Sequence, residues 1–448
     1  MQQEYIASFL GRKVGFVGLG VSNLPILRSF LASGIDCTVR DKKPIGESPE
    51  NKSLSDAGVR FLCGESYLEN IDEDVVFLSP AVRPDLDGLR EAAARGVRLT
   101  SEMEEFFKYC PCKIIGVTGS DGKTTTTTLI AKLLEAAGHK VHLGGNIGAN
   151  LLEKLGEIGK EDFAVVELSS FQLFKMTRSP DIAVVTNIAP NHLDWHTDME
   201  EYIAAKEHIF AFQNEKGALI LNADDPYAER YASKANGKVR YISGRKAIPD
   251  GVWFDEKGIH KDGKLLLPDN DILIVGRHNR YNYSEAILAT DGLVTEEAIR
   301  SVATGFGGVE HRCELVRVKD GVKFYNSTID SSPSRTKACL ESFKQKVIII
   351  CGGYDKHIPL EPLGPLFRDH VKYAVLCGAT AEKIETVLTD VGFTDYCRES
   401  VFADAVKKAA SIAKDGDCVV LSPAAASFDL FKNFAERGNV FKQLVKEL

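Results

Sequence analysis

Short apolar runs, each closed by a polar or glycine-rich turn, recur along the chain and set its organisation. Between residues 12 and 100 the segments KVGFVGLG, DCTVRD, VRFLCG, VVFLSP and VRLTS are apolar at consecutive positions and run into loops rich in Gly, Pro or Asp. Such runs predict strands of a parallel sheet covered on both faces. A second series follows. KIIGVTGSDGKTT (Lys113 to Thr125) pairs a strand carrying Ile114, Ile115 and Val117 with a segment whose Leu129, Ile130, Leu133 and Leu134 have helical spacing. KVHLGG, FAVVELSS, IAVVTNI and GALILNADDP are further strands, and EEYIAAKEHIF is an amphipathic helix with Tyr202, Ile203, Ile209 and Phe210 on one face. The run ILIV before Gly276 also reads as a strand, leading into the helix that contains SEAILAT. Beyond Val309 come VKFYNS, KVIIICGG, YAVLCG and CVVLSP. The pattern predicts an α/β protein of three domains: Rossmann-like over 1–110, a central P-loop ATPase-type α/β domain over 111–309, and a second Rossmann-like domain over 310–448.

Length and composition narrow this. A chain of 448 residues exceeds the ~250–300 that one core usually holds. A net charge of −8 argues against a nucleic-acid or anionic-membrane partner. The start MQQEYIASFLGRKVGFVGLG lacks a basic segment followed by an unbroken apolar run, and no later stretch is long enough to be inserted in a membrane. A cytoplasmic protein is expected, acting as a monomer on small molecules. The ten cysteines fit that compartment, since most sit in apolar runs (Cys351, Cys377, Cys418), and Cys110-Pro111-Cys112 lacks the second pair that a zinc site needs. There are no repeats, low-complexity tracts or long linkers.

Candidate chemistry lies at the strand ends. In KIIGVTGSDGKTT, strand, glycine loop, Lys123-Thr124 and helix form a phosphate cradle, although the usual pattern wants Gly at Val117. Backbone N–H groups and the helix N-terminus suit phosphate, the lysine reaches the outer phosphates, and the hydroxyl suits Mg²⁺. In the first domain Gly18-Leu19-Gly20-Val21-Ser22-Asn23 departs from the dinucleotide fingerprint at Asn23. Asp41, at the end of the next strand, can take a ribose hydroxyl, and any diphosphate-bearing nucleotide would suit this turn. Ser79-Pro80-Ala81 ends the fourth strand beside the same crevice. Glu167 ends the strand FAVVE, where a carboxylate beside a P-loop holds Mg²⁺; a solvated strand end is the alternative. Asn146, Asn191 to Asp194, and Asn222, Asp224 and Asp225 should gather at the same sheet edge. From the residues alone, His192 is a hydrogen-bonded loop histidine and Lys206 a surface lysine. Asn279 and Asn282, three apart on a first helical turn, suit a base edge or ribose, or else helix capping.

Across essentially its whole length the chain resembles the Mur ligases, ATP-dependent amino-acid ligases of peptidoglycan synthesis. GVTGSDGKTT looks like that family's shortened phosphate loop, which accounts for Val117. GGNIG, ELSSFQL, Asn191-His192-Leu193-Asp194, AAKEHIF, NADDP, GRHNRYN and His311-Arg312 follow in the family's order. A Rossmann-like first domain with Asp41 and the closing LSPAAASFDLFKNFAERGNVF resemble the member that adds D-glutamate, and the DNPR motif of the diaminopimelate-adding relative is absent.

The resemblance implies that ATP phosphorylates the carboxylate of UDP-N-acetylmuramoyl-L-alanine and that D-glutamate attacks the acyl phosphate. It implies two Mg²⁺ ions, with Thr124 and Glu167 on one, His192 and Lys206 on the other, and Lys206 converted to a carbamate. Lys123 then joins Glu167, His192 and Lys206 as catalytic. Gly119, Ser120, Asp121, Gly122, Lys123, Thr124, Thr125, Asn279, Asn282 and Arg312 would hold ATP. Gly20, Val21, Ser22, Asp41, Lys43, Ser79 and Asn146 would hold the UDP-linked substrate, and Lys356, Ser427 and Phe434 the D-glutamate. One stretch departs: where the family shows Asn-Asp-Ser-Lys-Ala-Thr, this chain has Asn326-Ser327-Thr328-Ile329-Asp330-Ser331, leaving open whether Asp330 replaces the missing aspartate. Three other readings stand beside the ligase: a folylpolyglutamate synthetase-like amide ligase, a nicotinamide-dependent dehydrogenase built on the first turn, and a nucleotide-switched signalling protein.

Overall fold

The computed structural model describes residues 2–44, 46 and 48–448. Three sheets carry the strands. The first has the order Arg60–Cys63, Asp36–Asp41, Lys13–Val17, Val75–Leu78, Arg98–Thr100, with all pairs parallel. Strand order reverses between Lys13–Val17 and Val75–Leu78, so a crevice opens beyond their carboxyl ends, where Gly18 and Ser79 lie. Phe9, Phe16, Phe30 and Phe77 fill one face of this sheet, with Phe16 and Phe77 stacked at 5.2 Å. Beside Asp41, the buried Arg40 guanidinium pairs with Glu73 at 2.9 Å and donates to the carbonyls of Tyr67, Glu69 and Asn70. A buried charge satisfied on every side in this way holds the strand end rigid.

The central sheet has nine strands. Val141–Gly145, Phe163–Glu167, Lys113–Thr118, Ile182–Val185 and Ala218–Asn222 match the predicted runs, and their pairs are parallel. Four more strands extend the sheet beyond Ala218–Asn222: Lys238–Ser243, Val252–Phe254, Gly258–Lys261 and Lys264–Pro268. Lys238–Ser243 and Lys264–Pro268 are partly exposed, and Val252–Phe254 and Gly258–Lys261 are only three and four residues long, so none carries a legible apolar run. Ile272–Val275 is not a strand. Ile272 and Ile274 are buried, but the segment has no ladder partner; its backbone bonds run to Asp269 and Ala303 and to the Asn279 and Arg280 side chains. Burial, not pairing, accounts for that apolar run.

The last sheet runs Glu314–Lys319, Val322–Asn326, Cys418–Leu421, Val347–Cys351, Val371–Cys377, Tyr396–Glu399. Its edge strand Glu314–Lys319 is antiparallel and the other pairs are parallel. Two compact units result, one of residues 1–266 and 281–299, the other of 267–280 and 300–448. No helix among the described residues is long and apolar enough to cross a membrane.

Candidate active site

In the first unit the phosphate loop joins the strand Lys113–Thr118 to the helix Lys123–Ala136. Gly119 and Gly122 have φ of 147° and 81°, a backbone that residues with a Cβ rarely adopt. Space forbids a side chain as well. A Cβ on Gly119 would fall 1.9 Å from Thr186 Oγ1, and one on Gly122 would fall 2.5 Å from Asn282 Oδ1. The loop is braced from the neighbouring strand: Thr186 Oγ1 donates to the Asp121 carbonyl at 2.5 Å, and the Asp121 amide donates to Asn187 Oδ1 at 3.1 Å. Ser120 Oγ contacts Tyr202 Oη at 2.9 Å and donates to the Ala189 carbonyl at 2.8 Å. Thr124 and Thr125 stand half-buried in the first helical turn. Lys123 Nζ donates to the carbonyls of Gly119 and Ser120 at 2.9 and 2.8 Å, so the ammonium lies over the cradle.

Behind the loop sit the residues whose roles depend on resemblance. Lys206 is no surface lysine. On the helix Met199–Ala211 it is 1 % exposed, and its Nζ donates to the Gly119 carbonyl at 2.8 Å and to Thr118 Oγ1 at 3.3 Å. Its pKa is driven well below the usual lysine value by burial first and the Lys123 ammonium second, with Asp121 and Glu167 pulling the other way. Glu167 is likewise 1 % exposed, which removes the solvated strand end as an alternative. Asn146 Nδ2 donates to Glu167 Oε1 at 2.8 Å, while Oε2 is buried without a protein partner. A buried carboxylate oxygen with no donor is costly, and a cation is the natural partner for it. His192 is exposed with φ of 55°, and its ring meets Phe171 edge-on at 4.9 Å. Desolvation and the Lys123 ammonium lower its pKa, which favours the neutral imidazole that a metal takes. Among the described residues no group of three or more His, Cys, Asp and Glu side chains forms a metal site unaided. A metal held by Glu167 and His192 would therefore draw on groups beyond those residue types, such as the Thr124 hydroxyl and Lys206.

Asn282 reaches the loop from the helix His278–Ala289, where its Oδ1 accepts from Thr126 Oγ1 at 3.3 Å. Thr126 also donates to the buried Glu285 at 3.0 Å, and burial lifts the Glu285 carboxyl from 4.5 to about 8. The folded protein thus keeps a proton that the unfolded chain releases near 4.5, so this group's contribution to stability falls as pH rises towards about 8. We expect the wild type's unfolding free energy, followed by urea midpoint, to fall between about pH 5 and about pH 8 by at most about 1.4 kcal/mol per pH unit from this one proton, and Glu285→Gln to remove that part of the fall.

In the N-terminal crevice Gly20 and Val21 are exposed, and Ser22 precedes the helix Asn23–Ala32. Asn23, which departs from the dinucleotide fingerprint, closes the turn from inside, its Nδ2 donating to the carbonyls of Gly18 and Val17 at 2.8 and 3.4 Å. Asp41 Oδ1 accepts from the Lys43 amide at 2.9 Å. Ser79 packs on the same turn, 2.6 Å from where a Cβ of Gly18 would lie. Asn146 bonds to Glu167, and Asn150, four residues on, donates to the Ser22 carbonyl at 3.0 Å.

In the second unit Asn279 Nδ2 donates to the Val275 carbonyl at 2.6 Å, and Arg312 is exposed. Lys356 is exposed and donates to Ser331 Oγ at 3.2 Å, Ser427 is buried, and Phe434 opens the helix Phe434–Glu447. Arg437, which the sequence does not single out, links the segment just before Ser427 to the start of the Phe434 helix. Its buried guanidinium donates to the carbonyls of Ala425, Ala426 and Thr328 and to Thr328 Oγ1, and Thr328 Oγ1 donates to the Phe434 carbonyl at 3.1 Å. Asp330 does not face outward as a replacement aspartate. It accepts from Ser422 Oγ at 2.8 Å in the domain interior, where burial raises its carboxyl to about 6.

Residues 117–290 match the Mur ligase middle domain and residues 311–425 the Mur ligase glutamate ligase domain. The UDP-N-acetylmuramoylalanine–D-glutamate ligase of Clostridium beijerinckii is 45 % identical over 452 residues, covering 99 % of each chain. The chain belongs to the Mur ligase family. The enzyme of that same name from Acetivibrio thermocellus is 45 % identical over 450 residues, with 98 % of this chain and 97 % of the relative covered. In fold, this Mur ligase is similar to the UDP-N-acetylmuramate-alanine ligase of Thermotoga maritima, with a TM-score of 0.58 at 18 % identity over 97 % of this chain and 99 % of that one. A UDP-N-acetylmuramoyl-L-alanyl-D-glutamate–2,6-diaminopimelate ligase matches with a TM-score of 0.56 at 19 % identity, covering 78 % and 80 %.

Proposed function

We propose that this Mur ligase joins D-glutamate to UDP-N-acetylmuramoyl-L-alanine at the expense of ATP, through an acyl phosphate, in cytoplasmic synthesis of a peptidoglycan precursor. The observation that carries the reading is the buried Lys206 and the unpartnered Glu167 oxygen behind a glycine cradle. The curated relatives at 45 % identity, each named a UDP-N-acetylmuramoylalanine–D-glutamate ligase, support the choice of amino acid.

The chemistry follows from the weakness of a carboxylate as acyl donor. Its oxygen takes the γ-phosphoryl group of ATP, the bond to ADP breaks, and the resulting mixed anhydride is open to attack by an amine. The amine of D-glutamate adds to the carbonyl carbon, loses a proton, and inorganic phosphate departs. Two anions must meet in the first step, so the site has to offset charge. Lys123 and the N–H groups of residues 119–125 serve the phosphates. Thr124, Glu167, His192 and Lys206 suit two Mg²⁺ ions, which would supply Lewis-acid stabilisation of the phosphoryl oxygens. Lys206 would do so as a carbamate, formed when the neutral amine adds CO₂ and releases a proton. Asn279, Asn282 and Arg312 are assigned to ATP. Gly20, Val21, Ser22, Asp41, Lys43, Ser79 and Asn146 are assigned to the UDP-linked substrate, and Lys356, Ser427 and Phe434 to D-glutamate, with Lys356 pairing a carboxylate. This divides the labour among domains 1–110, 111–309 and 310–448.

Phosphate release is the test. ADP and phosphate should appear only when UDP-N-acetylmuramoyl-L-alanine and D-glutamate are both present, and L-glutamate should not substitute. ATP hydrolysis indifferent to both substrates would refute the ligase reading.

A further inference from the structure

The loop that follows the strand Val75–Leu78 borders the N-terminal crevice, yet residues of the central sheet's layer hold it. Lys175 Nζ donates to the Ser79 and Pro80 carbonyls at 2.5 and 3.0 Å, and Trp195 Nε1 donates to the Ala81 carbonyl at 2.9 Å. Three consecutive carbonyls are thus turned onto donors outside their own domain. Next in the loop, Arg83 donates to both carboxylate oxygens of Glu201, at 2.9 and 2.8 Å, and to the Trp195 carbonyl at 3.0 Å. Its guanidinium lies 5.0 Å from the Trp195 ring centroid and 5.2 Å from that of Phe174.

The far end of this staple reaches the catalytic elements. Glu201 shares the helix Met199–Ala211 with Lys206, and its Oε2 meets His196 Nδ1 at 3.2 Å. His196 Nε2 meets Ser170 Oγ at 2.9 Å, and Ser170 opens the short helix just after Glu167. His192 and Trp195 are joined in one turn by a bond from the Trp195 amide to the His192 carbonyl at 3.1 Å.

A carbonyl oxygen facing a diphosphate repels it, so a crevice loop for such a ligand needs its carbonyls committed elsewhere. Lys175 and Trp195 make that commitment, and the bidentate Arg83–Glu201 pair, with both side chains 20 % exposed, fixes the loop's angle. We infer that Lys175, Trp195 and the Arg83–Glu201 pair are positioning residues that orient the Ser79–Ala81 loop for the UDP-linked substrate and set it against the elements bearing Glu167, His192 and Lys206. The inference rests on the ligase reading above.

Full-length Trp195→Phe, which keeps the ring and loses the N–H, Glu201→Gln and Lys175→Met test it in the complete reaction. Each should raise KM for UDP-N-acetylmuramoyl-L-alanine about 5–30-fold, the effect of one or two lost hydrogen bonds, with KM for ATP and D-glutamate within about twofold. Lys175→Arg, which keeps a donor, should restore part of the loss. Variants whose three KM values move together, or whose melting temperature falls while every KM holds, would mark a merely structural staple and overturn the proposal. A wild type that needs no UDP-linked substrate overturns the ligase reading itself, so the two failures are distinct.

Discussion

Lys123→Ala should abolish phosphate release, by about 10³-fold or more, while leaving affinity for UDP-N-acetylmuramoyl-L-alanine nearly unchanged. The ammonium is hydrogen-bonded across the cradle, through the carbonyls of Gly119 and Ser120. Removing it withdraws positive charge from the place where the phosphoryl group must approach a second anion. The glycine turn, Asp41 and Ser79 belong to the N-terminal sheet's own crevice, where Asp41 is bonded to the Lys43 amide and Ser79 packs on Gly18. Those two contacts are local to that sheet, and the Lys175 and Trp195 bonds that hold the Ser79–Ala81 loop do not pass through Lys123, so the change at Lys123 leaves all of them in place. Binding of the UDP-linked substrate measured by calorimetry, beside phosphate release in single turnovers, separates the two. Loss of binding together with loss of chemistry would show that the division of labour between these regions is drawn wrongly. The variant has a further consequence for its neighbours. The Lys123 charge lowers the pKa of both Lys206 and His192, so Lys123→Ala should let both rise, and the residual activity should shift to higher pH.

The elements that decide the fold are legible because burial writes them as unbroken apolar runs. Val347–Cys351 and Phe163–Glu167 are buried at every position, and each is predicted by its sequence alone. Lys264–Pro268 is not, because an edge strand with two exposed leading residues carries no such run. Ile272–Val275 misleads for the opposite reason: apolar side chains can be buried without a ladder. In the site, the glycine loop announces itself because backbone geometry restricts the residue type. Lys206 does not, since a lysine looks alike in sequence whether it faces water or the interior, and only the resemblance singles it out. Arg437, Lys175 and Arg83 are invisible for a related reason. Arg437 and Lys175 bond mainly to backbone carbonyls of distant segments, which leave no trace in residue identity, and Arg83 meets Glu201 far along the chain, a pairing no local spacing announces. Asp330 shows the converse, a carboxylate whose sequence position suggests a ligand contact and whose side chain turns inward to Ser422.

Lys206→Met should cost about 10³-fold in kcat with a melting temperature close to that of the wild type. The methionine keeps the stem packed beneath the loop and removes the amine from Thr118 Oγ1 and the Gly119 carbonyl. Burial and the Lys123 ammonium disfavour the Lys206 charge more than Asp121 and Glu167 favour it. On the reading proposed above, the neutral amine would be the nucleophile that adds CO₂, and the product would be an anion able to hold a metal beside Lys123. Incubation with ¹³C-bicarbonate should therefore give a carbamate carbon resonance in the wild type that is missing from both Lys206→Met and Lys206→Arg. Arginine is the sharper control, because its guanidinium stays protonated where an amine does not and cannot make the same adduct. Kinetics and the resonance should fail together. A Lys206→Met enzyme within about tenfold of wild-type kcat would mean that the buried lysine only supports the loop.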